Sequence, residues 1–429
     1  MEYIEGGVTA AKGFKASSAA AGIKYQGRTD MAMIYSDVPC VAAGTFTTNI
    51  VKAAPVKWDR QVVYESEHAQ AVICNSGIAN ACTGVQGMAY CEATAAKAAE
   101  VLGVQKDAVL VASTGVIGMQ LKMDRIEAGI DMLAPALDGS IDAGHLAAKA
   151  IMTTDTVPKE VAVTFEIGGK KVTMGGMCKG SGMIHPNMCT MLGFITTDAN
   201  ISKALLQEAL SEDIKDTYNM VSVDGDTSTN DTVLLLANGQ AGNPLIDTKN
   251  EDYKAFCEAL HAVNACLCRK IAGDGEGASA LFEVKIIGAE TKEQAVTLSK
   301  SVVTSSLVKT AICGHDANWG RILCAMGYSG AQFDPEKVDL FFESAAGKIQ
   351  IMKDGVAADY SEEEATKILS EPEVTAIADI KMGNKEATAW GCDLTYDYIK
   401  INADYRSYAA VIRRRNRNGK GYEPVSFKG

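Results

Sequence analysis

Apolar residues fall into short runs and helical repeats along this chain. Ala71-Val-Ile-Cys74, Ala108-Val-Leu-Val-Ala112 and Val233-Leu-Leu-Leu-Ala237 have the length of buried strands. Thr45-Phe-Thr-Thr-Asn49 and Ala53-Ala-Pro-Val56 favour extended backbone, so residues 1 to about 60 read as strands and turns. Val161-Ala-Val-Thr-Phe-Glu-Ile167 and Lys170-Lys-Val-Thr-Met174 flank Gly168-Gly169, a dipeptide that supplies the positive φ angles of a tight hairpin. Leu281 to Ile287 alternates as a strand does. The alanine-rich segment from about Met88 to Leu102 reads as a helix. Further helices are expected from a Ser202 cap to about Tyr218 and from about Glu251 to Ile271. Capping boxes at Thr291-x-x-Gln294 and Ser361-x-x-Glu364 open two more. Strands near 337–343, 347–352 and 386–399 complete an α+β second half. No internal repeat or low-complexity linker separates the parts.

At 429 residues the chain exceeds one ordinary core, which implies two or three domains. A net charge of -12 argues against nucleic acid or an anionic membrane as partner of the body of the protein. No run approaches the roughly 18 apolar residues of a membrane helix. The opening Met1-Glu-Tyr-Ile-Glu-Gly-Gly7 has neither basic nor apolar signal-peptide character, so a cytoplasmic protein is expected. The twelve cysteines include no CxxC, and the five histidines are not spaced like ligands. They read as buried thiols in a reducing compartment, with no metal site.

The candidate chemistry sits in Lys179-Gly-Ser-Gly-Met-Ile-His-Pro-Asn-Met-Cys-Thr190, followed by Met-Leu-Gly-Phe-Ile. Thr190 stands behind a glycine- and proline-broken loop and in front of an apolar run. Such a threonine either opens a buried strand or cuts its own chain. In the second case its Oγ attacks the Cys189 carbonyl, and the freed α-amine then serves as base for the hydroxyl. Gly180 and Gly182 permit a backbone path closed to other residues, and Pro186 pushes His185 toward extended geometry. Thr114-Gly115, at a strand end, is either a capped turn or a pair of oxyanion donors. Lys179 is either a surface lysine or the holder of a carboxylate. Glu276 in Gly273-Asp-Gly-Glu-Gly277 is either part of a helix-terminal turn or a carboxylate brought close to a ligand. Gly175 to Ser181 lacks the spacing of a phosphate loop.

Together these residues closely resemble the ornithine acetyltransferase (ArgJ) family. The resemblance runs from Gly6-Gly-Val-Thr-Ala-Ala-Lys-Gly-Phe14 to about Ser407. It takes in Asn75-Ser-Gly-x-Ala-Asn-Ala-Cys-Thr-Gly84, Ser113-Thr-Gly-Val-Ile-Gly118 and Met152-Thr-Thr-Asp-Thr156, besides the Lys179 segment. Gly314-x-Asp-x-Asn-Trp-Gly-Arg321 and Cys392 to Asn402 extend it. The resemblance implies a self-cleaving enzyme that moves acetyl from N-acetyl-L-ornithine to L-glutamate through acetyl-Thr190, with Thr114 and Gly115 as oxyanion hole. Thr153, Lys179, Thr190, Glu276, Asn402 and Ser407 then fall where the family binds substrate. The implied fold is a layered αββα, N-terminal-nucleophile-like core with a separate C-terminal α/β domain. Residues 1–189 form one chain after cleavage, 190–285 complete the core and 286–407 form the C-terminal domain. The two chains associate as α2β2 or larger. No cofactor is implied, and acetyl-CoA is left open as a second donor.

The sequence departs from the family pattern in several places. Cys189 replaces the usual alanine before the cut. His185 and Ile78 stand where alanine and asparagine are commoner. Residues 408–429 extend past the usual end, with the basic run Arg413-Arg-Arg-Asn-Arg417 as either a solvated tail or an arm for an acidic partner. Two other readings stay open. One is an N-terminal-nucleophile amidase or aminopeptidase that passes its acyl group to water. The other is an uncleaved, non-enzymatic binding protein.

Overall fold

Gly168 and Gly169 take φ values of +54° and +73°, and the hairpin they were expected to turn is present. Its strands are longer than the apolar pattern suggested, Lys159–Ile167 and Lys170–Lys179. The second strand carries Lys179 at its end. The structure, a computed structural model, describes residues 1–24, 26–185 and 191–403.

Sixteen strands are found among the described residues. In chain order β1 is Glu2–Ile4, β2 Phe14–Ala19, β3 Met31–Phe46, β4 Ala69–Ile78 and β5 Val109–Val116. The hairpin strands are β6 and β7. Then come β8 Leu192–Thr197, β9 Val221–Ser222, β10 Thr232–Ala237 and β11 Leu281–Ala289. The series ends with β12 Asp339–Ser344, β13 Gly347–Lys353, β14 Val356–Ala357, β15 Glu373–Asp379 and β16 Lys385–Cys392.

The first sheet runs β1-β6-β7-β8-β10-β3-β4-β5, with β2 also on β3. Strand β3 belongs to two layers. Residues 31–35 pair with β4, and 41–46 pair with β10, with a register break between Tyr35 and Cys40. Pro39, which has no amide hydrogen to give a ladder, lies within the break. The two-residue period of the middle strands then assigns their faces. Met177, Leu192, Phe194, Leu234 and Leu236 pack with Met33 and Ile73 of the other layer. Cys178, Ile195, Val233 and Leu235 face the opposite way, toward Leu206, Leu210, Val263 and Leu267. Those four belong to helices Lys203–Asp216 and Glu251–Gly273. Helices Ala54–Glu65, Val85–Leu102, Met123–Leu133 and Ile141–Ala150 cover the outer side of the β2–β5 layer. The result is the expected α+β fold with an αββα core.

A second sheet, β14-β13-β12-β15-β11-β16-β9, forms the C-terminal α/β part with helices Lys292–Thr304, Ser306–Cys313, Trp319–Gly327 and Glu362–Leu369. Its apolar face is continuous with the core around helix Glu251–Gly273. Ser202, Thr291 and Ser361 cap their helices as expected, each accepting from the amide three residues on. Two local expectations were wrong. Ala54-Pro55-Val56 is not extended but starts helix Ala54–Glu65, where proline in the first turn forfeits no helical hydrogen bond. The segment 386–399 is not one strand: β16 ends at Cys392, and helix Tyr396–Ala403 follows. Thr395 marks the change, since its Oγ1 accepts from Asp397 N and donates to the Gly277 carbonyl.

Candidate active site

The end of β5 is built by the Asn75 motif beside it. Ser113 donates from Oγ to Asn75 Oδ1 at 2.7 Å, and Asn75 Nδ2 donates to the Ile78 carbonyl at 2.9 Å. Asn230, just before β10, donates to both the Ala79 and Ser113 carbonyls at 2.6 and 2.8 Å. These buried bonds fix the path of Ser113-Thr114-Gly115. Gly115 has φ +131°, and a Cβ there would lie 2.2 Å from the Gly77 carbonyl carbon. Only glycine meets both conditions.

Thr114 and Gly115 open onto a cavity of about 370 Å³. Thr153, Lys179, Glu276 and Asn402 also line it. All six described residues expected at the site therefore meet at one place, although they come from five segments separated widely in sequence. Cys189, Thr190 and Ser407 lie outside the described residues, as does the 408–429 extension. Met191, the residue after Thr190, lines the same cavity. Lys179 is opposite Leu192 in the antiparallel β7–β8 ladder.

Lys179 is not a surface lysine. Its side chain is 9% exposed, with Nζ 4.0 Å from Asp155 Oδ2. Burial disfavours the Asp155 carboxylate, but Lys179 and Lys159 beside it win and hold its pKa well below the usual carboxylate range. Glu276 is buried at the end of the Gly273–Gly277 turn. Its amide donates to the Ser181 carbonyl at 2.9 Å, and its Oε2 accepts from Asn402 Nδ2 at 2.7 Å. A Cβ on Gly182 would come within 2.3 Å of this carboxylate, so that glycine makes room for it. Helix Tyr396–Ala403 is further tied by Tyr398, whose hydroxyl donates to Asp224 at 3.3 Å. Asp224 in turn accepts the Met183 and Ile184 amides.

His185 is held by its surroundings. Its Nδ1 lies 3.1 Å from Ser222 Oγ, and its carbonyl accepts from Thr227 Oγ1. Burial, with help from Lys300, lowers its pKa, which favours the neutral imidazole.

Several cavity residues were missed by sequence reasoning, among them Ser228, Thr229, Asn230 and Asp231. Asp231, at the mouth of β10, is 2% exposed, and its Oδ2 has no hydrogen-bond partner among the described residues. Burial pushes its pKa well up, against the opposing pull of Ser228, Lys179 and Thr47. Its setting, Ser228-Thr-Asn-Asp231, has no periodicity to mark it as buried. Among the described residues no group of three or more metal-ligating side chains is placed to hold an ion. The cavity offers a threonine hydroxyl beside a glycine backbone, a buried lysine, and a carboxylate held by an amide. Such a set can bind an amino acid beside an acyl group in transfer.

Comparison with known proteins places the chain among relatives. Residues 15–407 match the ArgJ family. The arginine biosynthesis bifunctional protein ArgJ of Symbiobacterium thermophilum is 54% identical over 409 residues, covering 95% of this chain and 100% of that protein. The arginine biosynthesis bifunctional protein ArgJ 1 of Clostridium acetobutylicum is 53% identical over 394 residues, covering 92% and 96%. A crystal structure of ornithine acetyltransferase complexed with ornithine, from Mycobacterium tuberculosis, is 44% identical with a TM-score of 0.41. It covers 44% of this chain and 98% of that one.

Proposed function

The chain belongs to the ArgJ family of arginine-biosynthesis enzymes, and from that premise we propose that it moves acetyl from N-acetyl-L-ornithine to L-glutamate through a threonine made N-terminal by self-cleavage. One observation carries the reading. Thr114, Gly115, Thr153, Lys179, Glu276 and Asn402 converge on the cavity that Met191, next in the chain to Thr190, also lines.

In the cleavage step Thr190 Oγ attacks the Cys189 carbonyl carbon. The C–O bond forms, the C–N bond breaks, and the hydroxyl proton ends on nitrogen. Water then hydrolyses the ester and frees both the Thr190 amine and its hydroxyl. An α-amine has an ordinary pKa of about 7.7–8.0, so part of it is neutral near pH 7 and acts as base.

In the transfer step Oγ attacks the acetyl carbonyl of acetylornithine. The amine takes the hydroxyl proton and returns it to the departing ornithine nitrogen. Glutamate's amine then attacks the acetyl-threonine ester, giving N-acetylglutamate and restoring the hydroxyl. The Gly115 amide and the Thr114 hydroxyl stabilise each oxyanion. Lys179 receives a substrate carboxylate, and Glu276, steadied by Asn402, receives a substrate ammonium. Because both amino acids use one acetyl-enzyme, the kinetics are ping-pong. Acetyl-CoA is a second donor candidate, and the cleaved chains assemble as α2β2 or larger in the cytoplasm.

Intact-mass spectrometry with acetylornithine alone tests the reading. The expected species is a fragment beginning at residue 190, heavier by one acetyl group. Thr190→Ala is expected to stay full-length and inactive, and a cut, active Thr190→Ala protein would refute the proposal. Acetate release without acetylation of glutamate would favour an amidase instead.

A further inference from the structure

Behind the cavity wall lies a cluster of charged side chains that does not face the substrate. Lys159, the first residue of β6, has a fully buried side chain. Its Nζ donates to Asp155 Oδ1 at 2.7 Å and to Asp274 Oδ2 at 2.5 Å. Neither aspartate lines the cavity, but Asp155 holds Thr153, which does, and Asp274 is linked through Ser181 to Glu276, which also does. Asp155 accepts the amide of Thr153 at 3.0 Å and the amide of Gly180, beside Lys179, at 2.7 Å. Asp274 accepts the Thr156 amide at 3.0 Å, and its carbonyl accepts from Ser181 Oγ at 2.7 Å. The Ser181 carbonyl in turn holds the Glu276 amide. Two segments distant in sequence, 155–159 and 274–276, thus meet on one ammonium group, and Gly180 and Ser181 bond to the two aspartates beside it.

We propose that Lys159 is a positioning residue: through Asp155 and Asp274 it sets the mutual placement of Thr153, Lys179 and Glu276, so that donor and acceptor amino acids find one set of contacts. The proposal rests on the acetyl-transfer reading for the identity of the ligands. Energetics favour the role. A buried ion pair adds little net stability compared with apolar packing, whereas removing one partner leaves a charge stranded. Two carboxylates on either side of one lysine hold two loops to one reference point, and a displacement of about 1 Å at such a site can cost on the order of 100-fold. The cluster abuts open space on its far side, although the Lys159 side chain itself is closed off from solvent. Lys159 and Asp274 line a second, larger cavity of about 1260 Å³ together with Val157, His261 and Arg269.

Truncating Lys159 would open its place toward that cavity, which permits a chemical rescue. Lys159→Ala removes the three outer methylenes and the ammonium, which propylamine replaces atom for atom. Calorimetric affinities for L-glutamate and L-ornithine are measured with and without propylamine, alongside KM and kcat for transfer. The expected result is a loss of roughly tenfold or more in affinity for both amino acids, a smaller change in kcat, and recovery with propylamine but not with 1-propanol. Asp155→Asn, which keeps the Lys159–Asp274 pair, serves as the second variant and decides the matter if Lys159→Ala does not fold. It is expected to weaken both ligands in protein that still folds, at a lowered melting temperature because Lys159 and Lys179 lose a shared carboxylate. Wild-type affinities in folded Lys159→Ala, or in folded Asp155→Asn, would overturn the proposal. Wild-type protein that binds neither amino acid would overturn the acetyl-transfer reading itself.

Discussion

Asn402 donates a hydrogen bond of 2.7 Å to Glu276, joining helix Tyr396–Ala403 to the turn after helix Glu251–Gly273. The amide approaches from the rim, where Asn402 is exposed, and the carboxylate lies inside, where Glu276 is buried. Asn402→Ala should leave Glu276 free to turn and leave the fold intact. A hydrogen bond to a charged group is worth about 1.5–3 kcal/mol, and less at an exposed rim. KM for acetylornithine is expected to rise about fivefold to tenfold with kcat little changed. Steady-state kinetics checks this, and a fall confined to kcat would assign Asn402 a different part.

Gly115→Ala meets two obstacles, a left-side φ of +131° and the Gly77 backbone at 2.2 Å. The β5 end must move, and the amide at position 115 moves with it. Loss of one oxyanion donor costs on the order of 100-fold to 1000-fold in kcat. The variant is expected to be cut slowly and to transfer acetyl at least about 100-fold more slowly, with both effects visible by gel and assay. Wild-type rates in a folded variant would remove Gly115 from the oxyanion hole.

Asp59 gives a prediction about pH. It sits fully buried on helix Ala54–Glu65. Oδ1 accepts the Val111 amide at 2.7 Å, and Oδ2 is without a hydrogen-bond partner among the described residues. Burial raises its pKa well above 3.8, and the Val111 bond only partly offsets this. For a carboxyl with a raised folded pKa, the native state holds its proton longer than the unfolded chain does. Its contribution to stability is therefore full below the unfolded pKa and is lost as pH rises through the folded one. Asp59→Asn cannot ionise. Urea melts from pH 5 to 8 should show the wild type losing stability relative to Asp59→Asn as pH increases. A constant difference would mean the Asp59 environment is less apolar than its burial implies.

Much of the site was legible because its chemistry demands unusual local sequence. Gly115 and Gly182 are there because a side chain would collide with Gly77 or with the Glu276 carboxylate, and Gly275 and Gly277 because one would collide with Cys392 or with the backbone at Asp397 and Tyr398. Such constraints leave marks that a reader of sequence can find. Asp231 left none, because the burial of a single acid depends on which strands flank it. Strand β15, Glu373–Asp379, was unread for a similar reason. Its apolar positions, Val374, Ala376, Ile377 and Ala378, do not alternate, and its place between β11 and β12 comes from pairing partners distant in the chain. The dual role of β3 was equally hidden, since it is set by its partners, β4 along one half and β10 along the other. The extended reading of Ala53–Val56 failed where proline suits two structures and only context chooses between them.

The order of the first sheet bears on what scission before residue 190 would do to the protein. Strands β8 and β10, both past residue 190, lie between β7 and β3, both before it. β8 pairs with β7 on one side, and β10 pairs with β3 on the other. The later polypeptide is thus dovetailed into the earlier one, with a flank of the first piece on each side of it. Severing one covalent link would leave both hydrogen-bonded seams whole, so the pieces would travel together through any native purification and part only when the whole sheet is unmade.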